Sequence, residues 1–114
     1  MCALNNKSII QYKDNRFIKI GEPTEAALKV FAEKLGRYSQ KVGNADYKAQ
    51  PMVYADTLAQ KITTLATLEF SSERKCMSTL VRGYAGSNGN TVLLKGAPER
   101  VIAKCTNYLD CNNT

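Results

Sequence analysis

The sequence predicts an α+β domain, a twisted antiparallel β-sheet with helices packed against it. Three observations carry that expectation. First, residues 63–98 read as strand, polar turn, strand, glycine-rich loop, strand and helix start. Two short reversals in a row make an antiparallel meander. Second, Ile9-Ile10-Gln11-Tyr12 and Phe17-Ile18-Lys19-Ile20 flank Asp14-Asn15, which is good turn chemistry for a hairpin. Third, apolar residues recur at helical spacing after Pro23, Pro51 and Pro98. Proline suits a first helical position, where its missing N–H would have no partner anyway.

Taken in order, Met1 to Asn6 reads as the stub of a helix or strand from a larger protein, and residues 9–20 as the hairpin. Gly21-Glu22-Pro23-Thr24 opens a helix whose Ala27, Leu28, Phe31 and Leu35 form one apolar face, with Gly36 as the stop. Arg37 to Gln50 is polar and without clear period, so a surface loop with some helix is expected. A second helix starts near Pro51, buries a stripe of Met52, Ala55, Leu58, Ala59 and Ile62, and ends near Lys61 or Ile62. The β-branched run from Thr63 to Leu68 then leads into the meander. Its first turn is Ser71-Ser72-Glu73, whose side chains can bond nearby backbone. Its second reversal is Gly83-Tyr84-Ala85-Gly86-Ser87-Asn88-Gly89-Asn90. After Pro98, Val101, Ile102 and Cys105 are expected on a buried helical face. Tyr108 to Thr114 reads as a frayed end.

A chain of 114 residues is one domain at most, and about two thirds of its unfolded surface can be buried at this size. The hydrophobic fraction of 44% argues against disorder. No apolar run approaches the roughly 20 residues of a membrane span, and no charged-then-apolar leader is present. The net charge of +6 suits a polyanionic partner such as ATP, or serves solubility alone. The basic residues form no block, so a nucleic-acid tail is not indicated. Cys2, Cys76, Cys105 and Cys111 form no Cys-x-x-Cys pair and the chain has no histidine. A zinc site and a His-based triad are therefore not expected, and reduced, partly buried thiols are. There is no Gly-x-x-x-x-Gly-Lys-Ser/Thr phosphate loop.

The meander sets an aromatic ring, Phe70, and two cations, Lys75 and Lys95, on neighbouring strands. A ring to stack on with cations beside it suits a nucleotide. The same residues carry a family resemblance. Glu69-Phe70-Ser71, Arg74-Lys75-Cys76-Met77-Ser78 and Lys95-Gly96-Ala97-Pro98-Glu99 resemble signatures of the nucleotide-binding domain of P-type cation ATPases. Gly21-Glu22-Pro23-Thr24-Glu25-Ala26-Ala27-Leu28 and Cys2-Ala3-Leu4-Asn5-Asn6 resemble two more, in the right order over nearly the whole chain. The nearest type is the sarco/endoplasmic-reticulum calcium ATPase.

The resemblance implies an ATP site of Glu25, Phe70, Lys75, Met77, Lys95, Gly96 and Ala97. Phe70 would stack on adenine; by pattern alone a phenylalanine at a strand end is usually core. Glu25 would hydrogen-bond the base; by pattern alone it caps its helix, and a carboxylate has acceptor sites enough for both. Lys95 would line the depth of the pocket, or be a solvated strand-end lysine. Gly96 would let a ligand approach the backbone. Lys75, paired with Lys95 across the meander, would lie along the nucleotide towards the phosphates. Met77, on the same strand face as Lys75, would pack on the base or merely fill a gap. Ser72 departs from the family, which usually has a phosphate-contacting arginine there. Weaker phosphate affinity is expected, with Arg74 a conceivable substitute.

The resemblance further implies that residues 1–114 are a soluble nucleotide-binding piece of a membrane ATPase at the cytosolic face of the endoplasmic or sarcoplasmic reticulum. Its partners would be the phosphorylation and actuator domains of the same polypeptide, with no nucleic acid, and the fragment itself would be monomeric. The phosphorylated aspartate and its motif are absent from the chain. No catalytic or metal-ligating residue is expected in it, so it should bind ATP without turnover, magnesium being needed in the whole enzyme. A nucleic-acid-binding α+β module and a degenerate, non-binding contact domain are the alternatives.

Overall fold

A computed structural model describes residues 1–38 and 46–112, the side chains of 37 and 38 excepted. Strands β1 (Ile9–Lys13) and β2 (Arg16–Ile20) pair antiparallel down to Lys13 opposite Arg16. Asp14 and Asn15 make the turn at φ 51° and 62°, the left-handed values a two-residue type I′ loop requires. Tyr12 and Phe17 sit opposite each other with ring centroids 4.8 Å apart, edge to face. The predicted hairpin is therefore present with its predicted turn.

Helix α1 (Pro23–Tyr38) starts at the predicted proline but runs through Gly36. Gly36 is buried, and an added Cβ there would collide with the Tyr54 ring. The glycine serves the close approach of α1 to α2 (Val53–Lys61) and does not stop the helix. The predicted apolar face of α1 is also not the packed one. Phe31 and Leu35 are 54% and 52% exposed, and Ala27 is exposed too. The buried positions are Ala26, Lys29, Ala32, Glu33 and Gly36. Small residues permit contact on that side, and the two charged ones bond to backbone. Of the predicted loop over Arg37 to Gln50, residues 37 and 38 continue α1, 46–50 form a turn, and 39–45 lie outside the described residues, as do the last two of the predicted frayed end.

Helix α2 enters with Met52 and ends where expected: Ile62, at φ −121° and ψ 115°, is already extended. Ala55 and Ile62 are buried and Leu58 half-buried, whereas Ala59 of the predicted stripe is exposed. Strands β3 (Thr63–Ser71), β4 (Cys76–Arg82) and β5 (Asn90–Gly96) form an antiparallel meander in that order. The second reversal holds a single 3₁₀ turn, Tyr84–Gly86, with Gly83 and Gly86 at φ 84° and 77°. Helix α3 (Pro98–Ile102) is one short turn. Its predicted buried face is corrected: Val101 is half-buried, but Ile102 is 69% exposed and Cys105 is exposed. No element among the described residues covers that side.

Two apolar clusters meet at Leu58. One joins Ala3, Ala32 and Ala55; the other joins Ile62, Val81 and Leu93. The N-terminal segment, expected as a stub, is tied across the fold by asparagines. Asn5 is fully buried. Its Nδ2 donates to the carbonyls of Leu93 (3.0 Å) and Met77 (3.3 Å), and its Oδ1 accepts from the Thr79 hydroxyl at 2.9 Å. Leaving such a polar group unpaired in the interior would cost about 1–3 kcal/mol. The four cysteines are free, Cys76 buried, Cys2 half-buried, Cys105 and Cys111 exposed.

Candidate functional site

The meander brings the candidate residues into one row, through an irregularity in β3. Leu68 pairs with Ser78 and Ser71 with Cys76. Two residues of β3, Glu69 and Phe70, therefore oppose one of β4, Met77. That is a β-bulge, which re-aims side chains and breaks the ladder locally. On the other side of β4, Met77 pairs with Lys95. Phe70, Met77 and Lys95 thus lie on three adjacent strands at one level. Met77 is buried at 4% exposed, whereas Phe70 is 62% exposed and is not a core residue.

Glu25 closes the Lys95 end. Helix α1 presents it from its first turn, where Asn6 Nδ2 also bonds the Glu25 carbonyl at 2.6 Å. The Glu25 carboxylate forms an ion pair with Lys95 through Oε1 and accepts the Lys7 backbone N–H at 3.2 Å through Oε2. It is thus turned to other elements, and the capping expected by pattern is not its role. Both partners of the pair are about four-fifths buried, their side chains 21% and 19% exposed. Burial pushes the Glu25 carboxyl up, but the Lys95 hydrogen bond, the Lys7 N–H and the charges of Lys95 and Lys29 outweigh it. The net effect holds Glu25 below the usual carboxylate value. Lys29, buried, donates from Nζ to the carbonyls of Ser8 (2.5 Å) and Asn6 (3.3 Å), stapling the N-terminal segment to α1. Burial pulls its ammonium below the usual lysine value, against the raising charges of Glu25, Asp56 and Glu33.

Three sequence expectations need correction. Lys75 is not on a strand: it ends the turn 72–75 at φ 52°, held by its N–H to Ser71 O at 2.7 Å. It shares no strand face with Met77, and the residue facing Lys95 across the ladder is Met77. Gly96 is required by the protein's own backbone. An added Cβ would collide with the Lys75 carbonyl oxygen and with Cys76, and the neighbouring Ala97 N–H bonds that same carbonyl at 3.0 Å. Arg74, the conceivable substitute for the Ser72 position, is engaged within the meander. Its guanidinium donates to Ser78 Oγ at 2.9 Å and to the Glu69 carbonyl at 3.4 Å. Ser72 itself is exposed in the turn.

Sequence reasoning missed Asn5, Asn6, Lys7 and Lys29, which hold the row to α1. The asparagines appeared only as part of a family signature. Nothing in a lysine's letter distinguishes one bonded to buried carbonyls from one in water. A separate apolar groove of about 330 Å³ lies between the hairpin and α1, lined by Ile10, Phe17 and Val30 among others. It does not adjoin the row.

Among the described residues no helix is long and apolar enough to cross a membrane. Comparison with known proteins finds a matching family and related proteins. The family described as "P-type ATPase, cytoplasmic domain N" matches residues 1–114. The endoplasmic reticulum calcium ATPase srcA of Aspergillus fumigatus is 34% identical over 113 residues, covering 94% of this chain and 11% of that protein. The chain thus spans about a tenth of the relative's length. The α+β fold, the order of the signatures and the match along the whole chain agree, and the chain belongs to the family of cytoplasmic N domains of P-type ATPases.

Proposed function

We propose that residues 1–114 form the nucleotide-binding unit of a calcium-transporting P-type ATPase, with ATP as its ligand. Adenine stacks on Phe70 over Met77, and Glu25 and Lys95 meet its edge. The triphosphate leads away from the row towards a phosphorylation domain of the same polypeptide. Closure of that domain on this one brings the γ-phosphate to an aspartate there. Magnesium would offset the charge developing during transfer. Among the described residues no group of three or more His, Cys, Asp or Glu is placed to hold a metal ion. The domain would sit at the cytosolic face of an endoplasmic or sarcoplasmic reticulum membrane. It would work with the phosphorylation and actuator domains, and by itself bind without turnover.

The single observation that carries this function is the Glu25–Lys95 ion pair closing a row that ends in an exposed aromatic ring. Phe70, 62% exposed, lies at the strand level of Met77 and Lys95, so its ring is available to a ligand held at that level. The test is a ¹H–¹⁵N shift map of the 114-residue chain on adding a non-hydrolysable ATP analogue, repeated on Phe70→Ala. Shifts should cluster at Glu25, Phe70, Met77 and Lys95. The variant should keep its dispersed spectrum and bind about 5- to 150-fold more weakly, from the ~1–3 kcal/mol a base gains by stacking on an aromatic ring. Shifts elsewhere, or a variant that binds as well as the parent, would refute it.

A further inference from the structure

A second ion pair borders the same row, and it is built quite differently from the first. Lys7 reaches from the N-terminal segment to β3, where its ammonium bonds the Glu69 carboxylate. Its backbone N–H stays on Glu25 at 3.2 Å. Lys7 therefore spans from Glu25, at the Lys95 end of the row, to the bulge that carries Phe70. Glu69 and Phe70 are the two residues of that bulge, so the Lys7 ammonium is anchored one residue from the exposed ring. The side chains of Lys7 and Glu69 are 52% and 70% exposed. An exposed pair of this kind is held weakly, because water and salt screen it and two long side chains must be ordered. Lys95, by contrast, is committed to Glu25 in a largely buried pair.

On the nucleotide role proposed above, we propose that Lys7 is a further nucleotide-contacting residue, whose ammonium leaves Glu69 for the phosphate chain when a nucleotide occupies the row. A di- or triphosphate carries more negative charge than one carboxylate, so it outcompetes Glu69 for the same ammonium. The cost is small because the pair it replaces is exposed. The anchor is not lost, since the Lys7 N–H remains on Glu25 whatever its side chain does. No bond is made or broken; one charge-assisted contact is exchanged for another. Glu69 is then a competitor that keeps Lys7 extended over an empty row.

The test is calorimetric titration of the chain and of Lys7→Ala, Lys7→Arg and Glu69→Gln with adenosine, ADP and ATP, urea midpoints being measured on all four. Lys7→Ala should weaken ADP and ATP about 3- to 10-fold and leave adenosine unchanged. Lys7→Arg should keep most of the parent affinity. Glu69→Gln, by releasing the ammonium, should tighten ATP about 2- to 5-fold, the range an exposed ion pair allows. Lys7→Ala should also flatten the salt dependence of ATP binding. Stability in urea should fall by no more than the roughly 1 kcal/mol an exposed ion pair is worth, because the backbone bond to Glu25 survives each change. Equal loss for adenosine and ATP, an unchanged or tighter ATP affinity in Lys7→Ala, or weaker binding in Glu69→Gln would overturn the assignment. Adenosine binding that needs Phe70 while Lys7 has no effect refutes only the Lys7 contact. A parent chain that binds none of the three ligands refutes the nucleotide role and this assignment with it.

Discussion

Glu25 and Glu33 lie eight positions apart on one helix, on its packed side, and they do opposite things. Glu33 is 4% exposed, and its two oxygens take the backbone N–H groups of Tyr54 (2.9 Å) and Ala55 (2.8 Å). Those are donors in the first turn of α2, which have no partner inside their own helix. Glu33 thus caps the start of α2 from α1, where the N-cap residue Met52 offers no side-chain cap. Glu25 spends its carboxylate on a lysine from a distant strand and one N–H at the surface end of the row. The titrations separate in the same sense. Burial pushes Glu33 up, and the Ala55 and Tyr54 N–H groups only partly offset it. Glu25 is held down by its cationic partners. A carboxylate saturated by backbone is a structural joint. One held by an ammonium side chain ties a helix to a distant strand at the edge of the row.

The sharpest way to break this contrast is to truncate each glutamate's contact. Glu33→Ala should lower stability by about 2–4 kcal/mol in urea titration, because two N–H groups are left without acceptors. It should not change nucleotide affinity per folded molecule. Lys95→Met should cost less stability, about 1–3 kcal/mol, the worth of a charged hydrogen bond. It should weaken adenosine as much as ATP, which a role at the phosphates would not produce.

Acid titration of stability separates the two glutamates further. For Glu25, with its folded pKa depressed, the contribution is full above the ordinary carboxylate value of about 4.3 and disappears as pH falls through the depressed one. The stability difference between parent and Glu25→Gln should therefore shrink below about pH 4.3. Glu33 has the opposite sign: its native state favours the proton. Its contribution is greatest at acid pH and is lost as pH rises from the ordinary value through the raised one. A parent–Glu33→Gln difference that moved in the same direction as that for Glu25 would contradict the contrast. The smallest effect is expected on the other face of α1, where Phe31→Ser should change the unfolding free energy in urea by no more than about 0.5 kcal/mol. A loss of several kcal/mol would mean that the predicted apolar stripe is packed after all.

Much of the fold was legible because turn and cap chemistry is local. Asp14-Asn15, Pro23, Pro98 and Gly83 act through their own backbone preferences, and each marks the turn or start expected of it. Helix faces were less legible. Periodicity reported that α1 is amphipathic, but Phe31 and Leu35 point away from the elements it packs on. Which stripe is buried depends on what arrives opposite. Gly36 was read as a stop because glycine often ends helices, whereas the Tyr54 ring needed its space. At the site, Phe70 and Lys95 could be named from signatures. The turn that removes Lys75 from the strand, and the contacts that occupy Arg74, could not.

The order of strands and the two reversals of the meander were determined by the sequence alone, because they follow from neighbours a few positions apart, while the candidate site residues came from the family signatures. Only the tertiary structure decided which of those residues meet. Glu25 and Lys95 are separated by 70 positions, and the bulge at Glu69 and Phe70 is defined by what β4 sets opposite them. The physical reason is that side-chain burial and charge pairing depend on the element brought alongside, and no local pattern encodes that distance.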